Sequence, residues 1–425
     1  MKILIINTND TFGGAAIAAF RLHEALLQNG VDSQMLVADK KSDINSVLTL
    51  QNKNLGEKLG KTIILFLEKL PLRKYKNTIS KNFGPFSSQV VSNKKLVKTI
   101  NEINPDIVHL HWICGGFLSI EDIAKIKSPI VWSLHDQWGF TGGCHCVCDD
   151  VSKNSGLCEK YTKNCGNCGF LGSKRTKDLS FDVLQRKKKS FSKVNNMTII
   201  GLSKWLQNCA KSSSVFSNKP VVNLPNTINT NVFKPINKEI ARNLWNLPAY
   251  KKLILFGAVS ATSTPYKGFA ELTEALGKIS VKNIEFVVFG SSEPKNPPNF
   301  PCKVHYLGHL NDNASLISIY NACDVMAHPS KRENLSNVIM EALSCGLPVV
   351  AFDIGGNSDM IEHKKNGYLA QQFDTSDFAK GIDWVLNNEK YDELSKNARK
   401  KIVDEFDYNV VANKYIQLYD KVLKR

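Results

Sequence analysis

The chain has 425 residues, of which 43% are hydrophobic and 22% are charged. This composition is typical of a soluble globular protein and excludes a disordered, collagen-like or coiled-coil chain. At roughly 150 residues per domain, the length predicts two or three domains. Lysine and arginine (55) outnumber aspartate and glutamate (39), giving a net charge of +16. Such an excess favours an anionic partner: nucleic acid, an acidic membrane surface or a phosphorylated small molecule.

The apolar segments of the chain are short. The N-terminal run Ile3–Ile6 is too short for a signal peptide. The longest other run, Ile63–Leu67, falls well below the roughly 18–20 residues of a membrane-spanning helix. We therefore expect a cytoplasmic protein. In that reducing compartment, eleven cysteines are typical of buried thiols or metal ligands rather than of disulfides.

The first half of the chain predicts a parallel α/β unit. A strand at Lys2–Ile6 is followed by a turn at Gly13 and Gly14, a helix at Ala15–Leu27 and a strand at Val31–Ala38. This βαβ unit implies a parallel sheet with binding sites at the carboxyl ends of its strands. Further short apolar runs predict strands at 106–110, 130–134 and 197–202.

A second α/β series follows a linker at Asn223–Pro235, which is rich in asparagine and contains Pro225. Helical patterns separate the strands of this series, so we predict a second doubly wound domain. Its strands are predicted at 252–257, 284–290, 303–307, 325–328 and 347–352.

Two carboxylates stand out in the second series, Glu333 and Glu341, with seven residues between them. The first is predicted in a loop before a helix and the second about two turns inside that helix, so both can line one wall of a cleft. Carboxylates there accept hydrogen bonds from sugar or ribose hydroxyls, and the free N–H groups at the helix start attract phosphate. Acidic residues placed favourably in the helix dipole are the structural alternative. A glycosidase pair would instead lie on opposite sides of the bond to be cleaved.

These residues belong to a longer pattern. The segment Ser344–Ala351, with its glycine, proline and paired valines, follows the E-x7-E spacing, and Gly355–Ile361 comes next. The pattern resembles the C-terminal domain of retaining glycosyltransferases of family 4, which have the GT-B fold, and the resemblance covers nearly the whole chain. The stretch Ser133–Cys168 resembles the bacterial subgroup that contains the colanic acid transferase and builds exopolysaccharide or O-antigen chains.

The resemblance implies the roles of the donor-side residues. Glu333 would contact the transferred sugar and Glu341 the ribose hydroxyls, while Lys267 would hold the donor diphosphate. An ammonium group at that place stabilises charge that grows on the leaving diphosphate. The implied donor site also includes three further positions: Gly257, Asn334 and Leu335.

One cation of the family pattern is missing. Family members commonly carry an arginine just after the glycine that ends the preceding strand, whereas Gly257 is followed here by Ala258, Val259 and Ser260. Arg332 is a candidate substitute for this second phosphate-binding cation.

The resemblance also implies an acceptor side in the first domain, where Gly13 and Gly14 match the family's glycine loop. His135, just after a predicted strand, matches a histidine that contacts the donor sugar; the alternative is a structural pair with Asp136. His109 and His111 lie on one face of the preceding strand, and for them we favour a packing role.

The resemblance predicts two Rossmann-like domains facing a cleft. These are an N-terminal acceptor-side domain at 1–230, with a Cys-rich insertion at 142–172, and a C-terminal nucleotide-sugar domain at 231–407. A helix at 408–425 is expected to pack back on the first domain.

The predicted function is retaining transfer of a hexose-type sugar from a nucleotide diphosphate sugar, such as a UDP- or GDP-sugar, to a lipid-linked oligosaccharide in bacterial surface polysaccharide or lipopolysaccharide synthesis. No catalytic metal is expected. Sugar binding without transfer and glycosidase-like activity are the alternatives. A nucleic-acid-binding protein is disfavoured, because aromatic residues are not interleaved with the basic runs.

The insertion carries a cluster of cysteines. Cys165 and Cys168 form a C-x2-C pair, a spacing that presents two thiolates to one tetrahedral metal. A second pair must come from four further positions: Cys144, Cys146, Cys148 and Cys158. The subgroup resemblance favours Cys144 and Cys158. We expect a structural zinc, with unliganded thiols, a regulatory disulfide or an iron–sulfur cluster as alternatives.

A basic amphipathic segment extends over Asn54–Phe86. Residues 51–100 hold eleven lysines and arginines against Glu57 and Glu68 as the acidic side chains. Apolar residues at helical spacing among lysines are typical of a helix lying on an anionic membrane, although an ordinary helix packed on its own domain has the same pattern. We predict peripheral contact with the inner face of the cell membrane.

Overall fold

The computed structural model describes residues 1–50, 55–78, 85–146, 158–257 and 264–424. Cys148, the ends of the basic segment at 54 and 79–84, and the positions Ala258–Ser260 lie outside the described residues. The chain forms two compact units. The first comprises Met1–Asn226 and Ala412–Arg425, and the second Thr227–Val411.

The first unit is built on a seven-stranded sheet in the order β3-β2-β1-β4-β5-β6-β7, in which neighbouring strands are parallel. Its strands are β1 (Lys2–Asn9), β2 (Asp32–Asp39), β3 (Val47–Thr49), β4 (Ile107–Leu110), β5 (Ile130–Leu134), β6 (Met197–Gly201) and β7 (Val221–Asn223). Its helices are α1 (Gly14–Gln28), α2 (Leu55–Lys69), α3 (Lys94–Ile103), α4 (Ile120–Ile123), α5 (Leu179–Phe191), α6 (Lys204–Ser212) and, at the end of the chain, α14 (Tyr408–Leu423).

The central strands are short apolar runs because helices cover both faces of the sheet. All residues of β4 and β5 are buried, as expected for a parallel sheet without a solvent face. Strands β2 and β3 follow on one side of β1, whereas β4 and the later strands follow on its other side, so the strand order reverses between β1 and β4. Such a reversal opens a crevice at the carboxyl ends of the strands, which places the ends of β1, β4 and β5 at the natural binding edge.

The second unit has a six-stranded sheet in the order β10-β9-β8-β11-β12-β13, again with parallel neighbours. Its strands are β8 (Lys252–Gly257), β9 (Ile284–Phe289), β10 (Val304–Tyr306), β11 (Val325–His328), β12 (Val349–Phe352) and β13 (Gly367–Ala370). Its helices are α7 (Lys238–Leu244), α8 (Phe269–Leu276), α9 (Asn313–Ala322), α10 (Asn337–Ser344), α11 (Asn357–Met360), α12 (Thr375–Leu386) and α13 (Tyr391–Phe406).

Helix α14 follows the second unit in sequence, and its last part belongs to the first unit. Tyr415 and Tyr419 are fully buried. The Tyr419 hydroxyl lies 2.7 Å from His109 Nδ1, and the Tyr415 hydroxyl lies 3.4 Å from Ser133 Oγ. These contacts fasten the end of the chain to β4 and β5.

Two Rossmann-like units with parallel sheets confirm the predicted α/β fold class.

Candidate active site

Glu333 lies in the loop between β11 and α10, beside two nitrogen groups of the second unit. Its Oε2 is 3.1 Å from Nε2 of His328, the last residue of β11, and 3.7 Å from Nζ of Lys267. Burial by itself would raise the pKa of Glu333. The charge of Lys267, the contacts with His328 and the N–H of Asn334 overcome that effect and hold the pKa at about 2. Glu333 is therefore a fixed anion that can accept hydrogen bonds from hydroxyl groups.

Glu341 lies on α10, a little more than one turn from the start of the helix, and is 5% exposed. Its Oε2 accepts a 2.8 Å hydrogen bond from the hydroxyl of Tyr320 on α9. Tyr320 is fully buried and so holds this carboxylate in one orientation.

Two glycines allow the neighbouring loops to approach the Glu333 segment. A Cβ on Gly355 would lie 1.8 Å from the carbonyl oxygen of Glu333, and one on Gly268 would lie 1.9 Å from that of Pro329. Both glycines have positive φ, 54° and 79°. The turn that carries Lys267 and the loop after β12 therefore pack directly against the backbone around Glu333.

The other predicted donor-side residues lie nearby in the chain or at strand ends. Gly257 ends β8 and is buried, with the ring of Phe289 against it. The side chain of Leu335 is buried, and Arg332 is half-buried in the Glu333 loop. The adjacent Lys331 is engaged with Glu271 at 2.6 Å.

In the first unit, Gly13 and Gly14 follow β1 and begin α1. Gly13 has a φ of 93°, and its carbonyl oxygen accepts from the N–H of Ile17. The first turn of α1 thus points its N–H groups to the carboxyl edge of the sheet, where a helix start attracts anions.

His135 follows β5 and contacts a second histidine. Its Nε2 lies 2.8 Å from Nδ1 of His111, which follows β4. Both ring nitrogens of His109 have hydrogen-bond partners: Nδ1 lies 2.7 Å from the Tyr419 hydroxyl, and Nε2 lies 2.9 Å from Ser133 Oγ. Burial lowers the pKa of His135 to about 4 and that of His109 to about 3. Burial also places the pKa of His111 well below its ordinary value. The three rings are therefore neutral at physiological pH.

Asp136 holds the segment that follows His135. Its Oδ2 lies 2.7 Å from Nδ1 of His145 and accepts from Trp112 Nε1 at 3.0 Å, and its Oδ1 accepts from the N–H of Trp138 at 2.8 Å. Burial would raise the pKa of Asp136, but the His145 imidazole and these donors lower it overall.

The cysteines of the insertion face one cavity. The described side chains that line it include Cys144, Cys146, Cys158, Cys165 and Cys168. Burial raises the pKa of Cys165 to about 11. Within the described residues, no group of three or more histidine, cysteine, aspartate or glutamate side chains has an arrangement that could hold a metal ion.

A buried lysine lies beneath this cavity. Lys187 has no exposed surface, and its Nζ donates to the carbonyl oxygens of Trp138 and Thr141. Burial lowers the pKa of Lys187 to about 7, although the neighbouring thiols, among them Cys144 and Cys165, oppose that change.

Helix α2 presents apolar side chains to solvent. Leu59 is 63% exposed, and Ile63 and Phe66 are each 50% exposed. The guanidinium of Arg73, in the 3-10 turn after α2, lies 4.6 Å from the centre of the Phe66 ring. Across the described part of the chain, every helix is too short or too polar to cross a bilayer.

Sequence reasoning did not assign His328, Tyr320 or His145 to the site. His328 and Tyr320 contact the predicted residues Glu333 and Glu341, and His145 contacts Asp136, the neighbour of His135. In each case the partner lies in a different element or loop, so the contact depends on tertiary structure. The only sequence feature that pointed to His328 as a site residue was its position at the end of a predicted strand.

Comparison with known proteins agrees with this architecture. Residues 238–401 match the family model described as glycosyl transferases group 1. The chain is 30% identical over 207 residues to the N,N'-diacetylbacillosaminyl-diphospho-undecaprenol alpha-1,3-N-acetylgalactosaminyltransferase of Campylobacter jejuni, covering 46% of this chain and 53% of that enzyme.

A second relative is the UDP-Gal:alpha-D-GlcNAc-diphosphoundecaprenol alpha-1,3-galactosyltransferase of Escherichia coli, 30% identical over 142 residues, 32% of this chain and 36% of that enzyme. The chain thus matches about half, or less, of the length of these relatives. Among solved structures, Anabaena HepE in complex with UDP-glucose aligns over 99% of this chain and 100% of its own, with a TM-score of 0.64 and 17% identity.

The two parallel α/β units are those of the GT-B fold. Residues 238–401, in the second unit, match the group 1 glycosyltransferase model, in agreement with the family resemblance of the sequence motifs there.

Proposed function

We propose that this protein is a retaining glycosyltransferase that moves a hexose-type sugar from a nucleoside diphosphate sugar to a lipid-linked oligosaccharide. The observation that carries this proposal is the arrangement of Glu333, Lys267 and His328, with Glu341 held by Tyr320 on the following helix. The group supplies one accessible cation and two oriented carboxylates, the groups needed to bind a diphosphate, a sugar and a ribose.

In the proposed mechanism, Lys267 contacts the donor diphosphate and stabilises its charge as the bond to the sugar breaks. The contacts of Glu333 with Lys267 and His328 use Oε2, so Oε1 is the oxygen proposed to accept from sugar hydroxyls. Glu341 accepts from the ribose hydroxyls. His135 is assigned to the donor sugar by the family resemblance. The departing diphosphate takes the acceptor proton on the same face, so no protein general base and no catalytic metal are assigned.

The acceptor class is inferred from the relatives. Two of them are named for substrates linked through diphosphate to undecaprenol, so we infer a polyprenyl-diphosphate-linked acceptor and a role in surface polysaccharide synthesis. Gly13 and Gly14, at the start of α1, are the proposed acceptor-side loop, because a helix start suits the anionic diphosphate of such a lipid.

The test is transfer from a panel of UDP- and GDP-sugars to membrane extracts or synthetic polyprenyl-diphosphate sugars, with the anomeric configuration of the product read by NMR. Retention of the donor configuration supports the proposal. Release of free sugar from an oligosaccharide without any nucleotide donor would instead favour the glycosidase alternative.

We further propose that α2 binds the anionic inner face of the membrane. Its exposed Leu59, Ile63 and Phe66 would enter the head-group region while basic residues contact anionic lipid. The double variant Leu59→Ser, Phe66→Ser should lose flotation with vesicles that contain anionic lipid. The matched control, Ile240→Ser with Leu244→Ser, changes residues of α7 that are 60% and 65% exposed and should float like the wild type. Equal flotation with neutral vesicles contradicts this proposal.

The insertion is proposed to hold a structural zinc through Cys144, Cys158, Cys165 and Cys168. These described side chains share a cavity but are not arranged as a ligand group, so the proposal requires the thiols to move closer together when the metal binds. Support comes from the shared cavity and from Asp178, whose Oδ2 accepts from the N–H of Cys168 at 3.0 Å and so fixes one residue of the C-x2-C pair. Thiolates are the preferred ligands of closed zinc sites. Metal analysis of anaerobically purified protein should find one zinc per chain, and less in Cys165→Ser. Protein without stoichiometric zinc contradicts the proposal.

A further inference from the structure

His145 lies between two cysteines of the insertion, yet both of its ring nitrogens are engaged outside the cavity. Nδ1 is 2.7 Å from Asp136 Oδ2, and Nε2 is 2.9 Å from Ser87 Oγ. A carboxylate only accepts hydrogen bonds, so Nδ1 carries a proton and donates to Asp136, while Nε2 is engaged with the serine hydroxyl. The side chain is 3% exposed, which leaves this arrangement little freedom.

The main chain also connects the start of the insertion to the segment after β5. The N–H of Gln137 donates to the carbonyl oxygen of His145 at 3.1 Å. The ring of His145 stacks on that of Trp138 with centroids 6.4 Å apart, and lies 5.7 Å from that of Trp112. The start of the insertion is therefore bound to the segment after β5 by side chain, main chain and ring contacts together.

That segment begins with His135, which we propose as a contact of the donor sugar. Asp136 is the next residue, and it is fixed by His145, Trp112 and the N–H of Trp138. Loss of His145 would leave the carboxylate with one partner fewer on Oδ2, and the backbone that carries His135 would gain freedom. Small displacements of a substrate-contacting group cost large factors in rate.

We propose that His145 is a positioning residue for sugar transfer, which holds Asp136 and thereby fixes His135 for the donor. The thiol-lined insertion then has a defined role: it supplies the residue that orders the strand end at the active site. This inference rests on the proposed transferase function.

The test measures transfer by wild type, His145→Ala and His145→Asn, with kcat and the donor KM determined separately. Asparagine places an amide donor near the position of Nδ1, so His145→Asn keeps the bond to Asp136. We expect kcat of His145→Ala to fall by a factor on the order of 10 to 100. The donor KM should change less than threefold, and His145→Asn should recover most of kcat.

A matched control is His305→Ala in the second unit, which removes another histidine–carboxylate pair, a partly buried one with Glu285 at 2.6 Å. Its kcat should remain that of the wild type. Thermal melting of each variant identifies the folded fraction, and rates are expressed per folded molecule.

Equal kcat in His145→Ala and wild type overturns the inference, as does an equal loss in the alanine and asparagine variants. If the wild type itself transfers no sugar from any donor, the proposed function fails instead. Should His145→Ala not fold, the comparison of His145→Asn with Asp136→Asn decides: the inference requires the first to be active and the second to lose kcat.

Discussion

Glu333 shows how the environment of one side chain sets its chemistry. The same carboxylate oxygen contacts both Lys267 and His328, so the group stays ionised far below neutral pH, with a pKa of about 2. The opposing effects of burial and charge leave an anion whose second oxygen can accept from a ligand.

The backbone of Glu333 depends on Gly355. A Cβ there would collide with the Glu333 carbonyl oxygen at 1.8 Å, so Gly355→Ala must displace the Glu333 loop. We expect at least a tenfold loss of donor affinity or transfer rate, in line with the cost of misplacing a binding group by about 1 Å. Enzyme kinetics with a fixed acceptor measure the effect.

Gly308 provides the matched control. It also has positive φ, 70°, but a Cβ there meets nothing within 4 Å. Gly308→Ala should therefore cost backbone strain without losing activity per folded molecule. Equal activity of the two alanine variants would contradict the role given to Gly355.

Sequence alone can propose Glu333 and Glu341 together because their spacing within one loop and helix is local, whereas Lys267 lies in a different segment and is proposed from the family resemblance. It could not identify Tyr320, since the hydrogen bond to Glu341 joins two helices whose contact is decided by packing. His111 was assigned a packing role, yet the fold brings its Nδ1 to His135. Alternation along a strand gives the face of a residue but not its neighbour on the next strand.

At the scale of elements, helix α14 is held by tyrosines rather than by apolar contact alone. Tyr419→Phe would remove the hydroxyl that lies 2.7 Å from His109 Nδ1 and leave a buried nitrogen unpaired. Such a loss costs roughly 1–3 kcal/mol. Urea unfolding should show this decrease in the free energy of unfolding.

Tyr250, which is 94% exposed, is the control for that substitution. Tyr250→Phe should leave the free energy of unfolding within about 0.5 kcal/mol of the wild type. If Tyr419→Phe and Tyr250→Phe have equal free energies of unfolding, the hydroxyl of Tyr419 does not stabilise the packing of α14.

Strands and helices with a regular apolar period were predictable as elements. β1 and α1 occur within a few residues of their expected positions, because burial on a parallel sheet imposes a continuous apolar run on the strand and a 3.6-residue period on the helix. The insertion has no such period. The contacts that order it, such as His145 with Asp136, could not be read from the sequence.

For the whole molecule, the buried histidines predict a pH dependence of stability. Burial lowers the pKa of His23 and His135 to about 4 and that of His109 to about 3. The unfolded chain binds protons at these residues near pH 6.5, and the folded chain does not. Stability from these groups is therefore complete above about pH 7 and declines as the pH falls toward 4.

We expect the free energy of unfolding to drop between pH 7 and pH 5, by about 1–2 kcal/mol for each of the fully buried rings, His23 and His109. Urea unfolding at the two pH values, at constant ionic strength, measures the change. A stability that is unchanged or higher at pH 5 would show that these rings are not held neutral.

The basic residues that give the net charge of +16 are proposed to serve two different functions. Lys267 serves the donor diphosphate, and the basic region around α2 serves a membrane or lipid diphosphate. Nucleic acid is the least favoured of the anionic partners considered from composition, because aromatic residues are not interleaved with the basic runs.

Donor-binding calorimetry is the decisive measurement, because the second unit is proposed to bind a nucleoside diphosphate sugar through Lys267 and Glu341. Titration of UDP, GDP and their sugars should show one-to-one binding of at least one nucleotide, weakened at least tenfold in folded Lys267→Ala and Glu341→Ala. Absence of binding by every nucleotide, or binding unchanged in both variants, would contradict this proposal.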